Sequence, residues 1–565
     1  MYLRTTQRRN RDGSVVRYVQ VAHNRRVGGV TQAQVLANLG REDQLDRDGL
    51  RRLVASINRY LGVPDTAATD STQFVGDGLT VTGSRPVGAV HLLNGLWRAL
   101  DVDAALRKVL GPRRFSTDVE RVLFALVANR AIEPMSKLSA AEWAVRDVAI
   151  DGLAAMDEDQ AYRAMDLLVD ADAQAEVQEA VFFAVADLLN LEVDLLFFDT
   201  TSTYFERDTE ESGDDAFRVY GHSKDHRNDL PQIVIGLAVT KEGIPVRVWC
   251  WPGNSNDAAL LPQVRDDIRG WRLGRIITVV DRGFSSADNL AYLRRGGGHF
   301  IAGMRMRDGN PLVDKVLSRQ NRYRQVRDNL RVKEVDIDDT DLRYVICHNP
   351  EQADRDRTQR EDAITRLQTE LDRIAKARVK TRNSNNRTTK RKAETAHTKA
   401  ECALRDHPAL GRWLRQQANG RLVIDRAKVN TEARLDGKYL IATSDPHISA
   451  EDAALGYKNL LEAERGFRDL KSNLLLRPVF HRLEHRIRAH VLLCWLALLL
   501  VRVAERRTGQ TWRRIVTELG RVHAVALTGS AGTAVHTTPL NTAQAGIYRE
   551  CRITPPAAIT AINPA

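Results

Sequence analysis

Three carboxylates stand out by where they fall. Asp199 closes the apolar run of LFFDTTSTYF, Asp281 follows directly on the apolar run of ITVVDRGF, and Glu464 lies in the helical segment YKNLLEAERGFRDLKSNLLLRPVFH. A carboxylate at the end of a buried strand is costly unless a cation or strong donors satisfy it. A single such aspartate is most simply a turn or cap residue. Two at matching strand ends, with a helix-borne glutamate downstream, suit a two-metal phosphoryl-transfer site, which gathers about three carboxylates on a pair of hard cations. At about 100° per residue, Tyr457, Leu460, Glu464, Arg468 and Lys471 share one arc of a helix, while Ala463, Phe467, Leu470 and Leu474 form a separate apolar arc. One face packs, and its neighbour presents Tyr, Glu, Arg and Lys.

The elements that must carry these residues are legible from their periodicity. From Val193 onward, VDLLFFDTT, LPQIVIGLAVT, IPVRVWCW and GRIITVVD read as strands, with the helical DAALLPQVRDDIRGW before the fourth. SSADNLAYLRR, again helical, leads into GHFIAGMRM. Three strands, helix, strand, helix, strand is the order of a ribonuclease H-like α/β fold, whose mixed sheet carries acidic residues at strand ends. Residues 192–304 form its first part and 441–508 its second, with the Glu464 helix and the apolar RIRAHVLLCWLALLLVRVAERR. Residues 305–440 are an insertion with a charged helical arm, in which Ile364, Leu367, Leu371 and Ile374 recur at coiled-coil spacing. The arm's tip (Lys380, Arg382, Arg387, Lys390, Arg391, Lys392) reads either as a solvated surface or as a nucleic-acid contact.

Before the sheet, residues 86–191 are helical and residues 1–85 are a small basic region, with the strand-like VVRYVQVA and an amphipathic helix in DGLRRLVASINRYLG. Residues 509–565 read as a tail, helical to about Val522. Trp249 and Trp251 share a strand face as core residues or, less simply, as a base-stacking pair. Asn254 and Asp257 read as turn and helix-cap residues.

Composition excludes several classes. With 565 residues the chain holds about three or four compact units. Lys plus Arg number 84 against 73 Asp plus Glu, a net charge of +11 that favours a polyanionic partner. Hydrophobic residues at 43% are too many for a disordered chain. The longest apolar run, Val491 to Val501, is about half of the roughly 20 residues that a membrane span needs, so no membrane partner is expected. No apolar segment backs the basic N-terminus as in a secretory signal, and the five cysteines show no C-x-x-C spacing, so a reducing, cytoplasmic setting is expected.

The helix segment resembles the Y-x2-R-x3-E-x6-K signature of DDE insertion-sequence transposases, with Tyr457, Glu464 and Lys471 in place and Leu460 at the Arg position. FFDTTSTYFE, GHSKDHRNDLPQIVIGLAV, PGNSND, VVDRGFSS, FRDLKS and LLLRPVFH resemble further blocks of the same group, in order. The resemblance implies that Asp199, Asp281 and Glu464 form the catalytic triad and hold two Mg2+ ions, with Mn2+ as a substitute. Tyr457, Lys471, Arg468, Lys224 and Arg227 would contact DNA, and Arg465 or Arg468 would stand in for the missing Arg. It further implies binding of terminal inverted repeats by residues 86–191, and cleavage at the element ends with joining of 3′ ends to target DNA. The expected partners are double-stranded DNA and a second copy in a homodimeric synaptic complex, in a bacterial cytoplasm near the nucleoid. Two other readings stay open: a metal-dependent nuclease that cuts without joining, and a catalytically silent DNA-binding descendant.

Overall fold

Leu195–Tyr204 (β1) is the strand around which the larger unit is built. Its first residues are apolar on both faces, as a strand covered on both sides requires. A computed structural model describes residues 2–9, 15–27, 30–41, 45, 79–110, 118–172, 176–189, 191, 194–207, 209–213, 215–271, 275–307, 311–338, 340–382 and 387–564. The chain divides into two units, one of residues 85–524 and 537–560, the other of residues 1–84, 525–536 and 561–565.

In the larger unit, β2 (Gln232–Thr240) and β3 (Pro245–Pro252) follow β1 antiparallel, while β4 (Ile277–Val280) and β5 (His299–Met304) lie parallel to it on the other side. This is the mixed sheet expected from the sequence. Helices α1 (Asp257–Gly270) and α2 (Ala287–Arg294) make the two crossovers. The sheet does not stop at β5. Strands β6 (Arg324–Arg327), β7 (Leu330–Asp336), β8 (Arg343–His348) and β9 (Lys438–Thr443) extend it to the order β6-β7-β8-β9-β5-β4-β1-β2-β3. Residues 305–440 therefore supply β6 to β8, the start of β9 and a separate two-stranded sheet, Leu414–Gln416 with Leu422–Ile424, as well as the arm. The pairing of β8 with β9, some ninety residues on, leaves no local trace.

The arm is two packed helices, Pro350–Arg382 and Arg387–Arg405. Leu367 and Ile374 are buried, and Leu367 joins Trp413, Leu414, Leu422 and Val429 in a separate small core. Part of the basic tip, and all of the amphipathic helix expected near residues 48–62, lie outside the described residues.

Period-2 alternation sorts the sheet's faces. Leu196, Phe198, Val280 and Phe300 point to the core formed with α1, where Trp249 and Trp251 stack at 6.1 Å as core residues. The opposite face is covered by α3 (Ala450–Lys458) and α4 (Leu461–Ser472); a Cβ on Gly466 would come within 2.8 Å of Leu237, so α4 lies close on β2. The long apolar helix α5 (Glu484–Thr508) is long and apolar enough to cross a membrane, yet 94% of its apolar window is buried within the protein. It packs on β3 and on the helices Val119–Ile132 and Glu158–Asp172 of the preceding helical segment.

Helix Val119–Ile132 is buried from residue 120 to 131, charged residues included. Glu120 accepts from Trp97 Nε1 at 2.6 Å, Arg107 at 2.7 Å and Arg121 Nε at 2.9 Å, and Arg121 donates onward to Asn94 at 2.8 Å. Burial alone would raise the Glu120 carboxyl; the hydrogen bonds from Arg121 and Trp97, with the Arg charges, hold it below the ordinary range.

The C-terminal residues 509–565 are not only helical, as expected. After Trp512–Leu519 come strands His523–Gly529 and Gly532–Thr537. In the smaller unit these pair with Thr80–Pro86 and Ile559–Pro564, in the order Ile559–Pro564, Gly532–Thr537, His523–Gly529, Thr80–Pro86. Their small residues, Ala524, Ala526 and Ala534, give little hydrophobic alternation, and the partner strand lies more than four hundred residues away. The other sheet of this unit is antiparallel, formed by Tyr2–Arg9, Val15–Val27 and Val30–Arg41.

Removing one partner from a buried ion pair leaves the other charge uncompensated, at about 3–5 kcal/mol. Glu120→Ala is expected to destabilise the helical segment by that order, seen as loss of far-ultraviolet circular dichroism at lower urea than in the unsubstituted protein. Coincident unfolding curves would contradict this account of the network.

Candidate active site

The β1–β4 register brings the two aspartates together. Phe198 pairs with Val280 in parallel, so the next position on each strand is Asp199 and Asp281. Neighbouring strands run about 4.8 Å apart, and the same parity puts both side chains on the face covered by α3 and α4. Asp199 does not end β1, as the sequence suggests; the strand continues to Tyr204, paired with β2 alone. Asp281 directly follows β4, as its position after the apolar run suggests, and precedes the short helical turn Arg282–Phe284.

Glu464 sits in the first turn of α4 and lines the same cavity of about 460 Å³ as Asp199, Asp281, Tyr457 and Leu460. Basic groups rim it: Arg282, Arg307, Lys438 and Lys458. The single arc expected from Tyr457 to Lys471 is broken. Residues 459 and 460 form a tight turn between α3 and α4, where Ala463 N donates to Leu460 O at 3.0 Å. Leu460, at the signature's Arg position, is buried against the cavity.

Asp199 is the electrostatic centre. Burial raises its carboxyl to about 6, opposed by Lys224 and the Thr200 N–H, while Asp281 and Asp257 add to the rise. Lys224 Nζ lies 3.9 Å from Asp199 Oδ1 and 3.0 Å from Asp257 Oδ2, and donates to Thr200 O at 2.7 Å. Thr200 Oγ1 donates in turn to Asp257 Oδ1 at 2.7 Å. Asp257, read from sequence as a cap, is thus part of the site; the side chain capping α1 is Asn256, which accepts from Ala258 N.

A second cluster adjoins the first through Lys224. Lys471 donates to both oxygens of Asp225 at 3.0 Å, and Arg477 to Asp225 Oδ2 at 2.9 Å. Burial depresses the Lys471 ammonium against the pull of Asp225, with Arg477 and Lys224 adding to the depression. Arg227 and Arg477 lie over the Tyr204 ring at 5.1 and 4.9 Å, and Arg227 is paired with Asp229. Arg227 and Arg468 do not line the carboxylate cavity; Arg468 is exposed on α4.

All three carboxylates are hard oxygen donors, which suits a divalent cation held with retained waters. Among the described residues no three His, Cys, Asp or Glu side chains are drawn into a closed ion cage. The carboxylates line the cavity without converging on a point, and burial, more than the neighbouring charges of Asp281 and Asp257, is what makes a charged Asp199 costly there. Without a cation, this charge destabilises the fold. Asp199 holds its proton to about pH 6 in the folded state and to about 3.9 unfolded. The folded state therefore binds more protons in that window, and stability falls as pH rises through it. Asp199→Asn is expected to raise the thermal midpoint in EDTA at pH 7.5, reflecting about 3 kcal/mol of added stability, with the advantage shrinking as pH falls from 6 towards 4. An advantage that does not vary with pH would contradict the assignment.

Comparison with known proteins gives two family matches. Residues 194–500, more than half of the chain, match the model described as Transposase DDE domain, and residues 3–69 match the IS1634 family transposase, N-terminal domain. No curated protein matches the chain. Among solved structures, the cryo-EM structure of the piggyBac transposase synaptic complex with hairpin DNA is similar over 76% of this chain and 78% of that chain, at 10% identity and a TM-score of 0.33.

Proposed function

Because this chain belongs to the insertion-sequence transposases with a DDE domain, we propose that it binds the terminal inverted repeats of its element, cleaves there and joins the 3′ ends to target DNA. The observation that carries this reading is that Asp199 and Asp281 directly follow the parallel pair Phe198 and Val280 and line one cavity, with Glu464 on the helix across it. Transposases with this domain depend on a divalent metal, and we take it to be Mg2+, replaceable by Mn2+, held by Asp199, Asp281 and Glu464. When bound, it would activate the attacking oxygen, of water and then of the 3′ hydroxyl, and stabilise the leaving oxygen in an in-line displacement.

The chain's own residues orient the DNA and exclude wrong geometries. Lys471 and Arg477, held side by side by Asp225, offer two cations to a backbone phosphate near the carboxylates. Lys224 tethers the Asp199 strand to Asp257 and supplies positive charge at the cavity's edge. Arg468 and Arg227, exposed beyond the cavity, would follow the duplex backbone, and Arg282, Lys438 and Lys458 its rim. Leu460 supplies no charge at the signature's Arg position, so phosphate grip falls to Lys471, Arg477 and Arg468. Residues 86–191 would recognise the inverted repeats, and two copies would synapse two ends beside the nucleoid of a bacterial cytoplasm.

The test is a linear duplex bearing the element's ends, incubated with protein and Mg2+ and read for 3′ nicking and for joining to a plasmid. Asp281→Asn is expected to lower both by about 10³-fold, the several kcal/mol that a lost metal ligand removes from transition-state stabilisation. Strand transfer left intact in that variant would overturn the site. Cleavage without joining by the unsubstituted protein would favour a nuclease, and binding alone a silent descendant.

A further inference from the structure

By resemblance Tyr457 is a DNA contact, but its hydroxyl is committed within the protein. It donates to Asp281 Oδ1 at 2.8 Å, and its ring lies 5.7 Å from that of Tyr439 on β9, centroid to centroid. The sheet is shaped to admit it. Val280 pairs with Ala302, so Gly303 of β5 lies level with Asp281 on the neighbouring strand and on the same face. A Cβ at Gly303 would come within 2.2 Å of the Tyr457 hydroxyl oxygen and 2.8 Å of the ring carbon that bears it. The contact involves a stiff ring end and a strand backbone, so neither side can yield cheaply.

We propose that Tyr457 is a positioning residue for Asp281, and that Gly303 is the notch that lets it reach. The hydroxyl fixes one carboxylate oxygen, which leaves Oδ2 as the oxygen offered to a cation. An outer partner of this kind sets the orientation of a metal-ligating carboxylate, and its loss typically weakens metal binding 10- to 100-fold. Tyr439 braces the ring from β9, a strand that enters the sheet only after the arm, so the end of the 305–440 segment backs the ring that reaches Asp281. This rests on the reading of Asp281 as a metal ligand.

The probe is Mn2+ alone, titrated into the full-length protein and followed by the electron paramagnetic resonance signal of the free ion. Affinity for a fluorescent end-bearing duplex is measured in EDTA by anisotropy. Tyr457→Phe keeps the ring and is expected to weaken Mn2+ binding about tenfold with DNA affinity within twofold of the unsubstituted protein. Gly303→Ala should do the same, and the double variant should be no worse than either single, since both break one contact. Tyr457→Phe that loses DNA affinity while binding Mn2+ normally overturns the proposal and makes Tyr457 a DNA contact. If Gly303→Ala fails to fold, Tyr457→Phe alone decides. Absence of Mn2+ binding in the unsubstituted protein would instead sink the metal-site reading on which the proposal stands.

Discussion

The larger unit is organised around the burial of carboxylates. The parallel register that sets Phe198 against Val280 brings Asp199 and Asp281, the next residue along each chain, to one face, where burial raises the Asp199 carboxyl and the charge of Asp281 adds to the rise. Most of what surrounds them answers that cost. Lys224 stands by Asp199, Tyr457 hydrogen-bonds Asp281, and basic side chains rim the cavity. Buried carboxylates add nothing to stability that an apolar pair would not supply better.

The apolar scaffold makes that arrangement possible by being rigid on the other side. The aspartates project from one face while Leu196, Phe198, Val280 and the stacked tryptophans pack the opposite one, so the strands cannot slip by a residue without exposing a core. Helix α5 then ties sheet and helical segment together through an interior with little polar content. Where that interior holds the Glu120 and Arg121 charges, both have partners, which lowers the cost of their burial; Lys137, buried near Arg130, is instead driven by burial down to about 7.

The basic groups do not form one undivided patch. Lys471 and Arg477 are drawn to Asp225, and Arg227 to Asp229, so these cations are locally paired in the free protein. Any anion approaching Lys471 and Arg477 would have to compete with the Asp225 carboxylate that orients them.

The sequence alone determined the elements and the candidates. Continuous apolar runs ending at Asp199 and Asp281, the helix bearing Glu464, the buried character of α5 and the pairing of Trp249 with Trp251 all follow from local periodicity and side-chain type, which no distant contact needs to supply. Tertiary structure decided how they meet. Which oxygen Tyr457 holds, that Asp257 turns from cap to site partner, that the turn at 459–460 separates Tyr457 from Glu464, and that β6 to β9 and the C-terminal strands join sheets begun far upstream, all depend on register and packing between segments remote in the chain. Those are set by shape and charge across the fold, and a linear pattern carries no record of them.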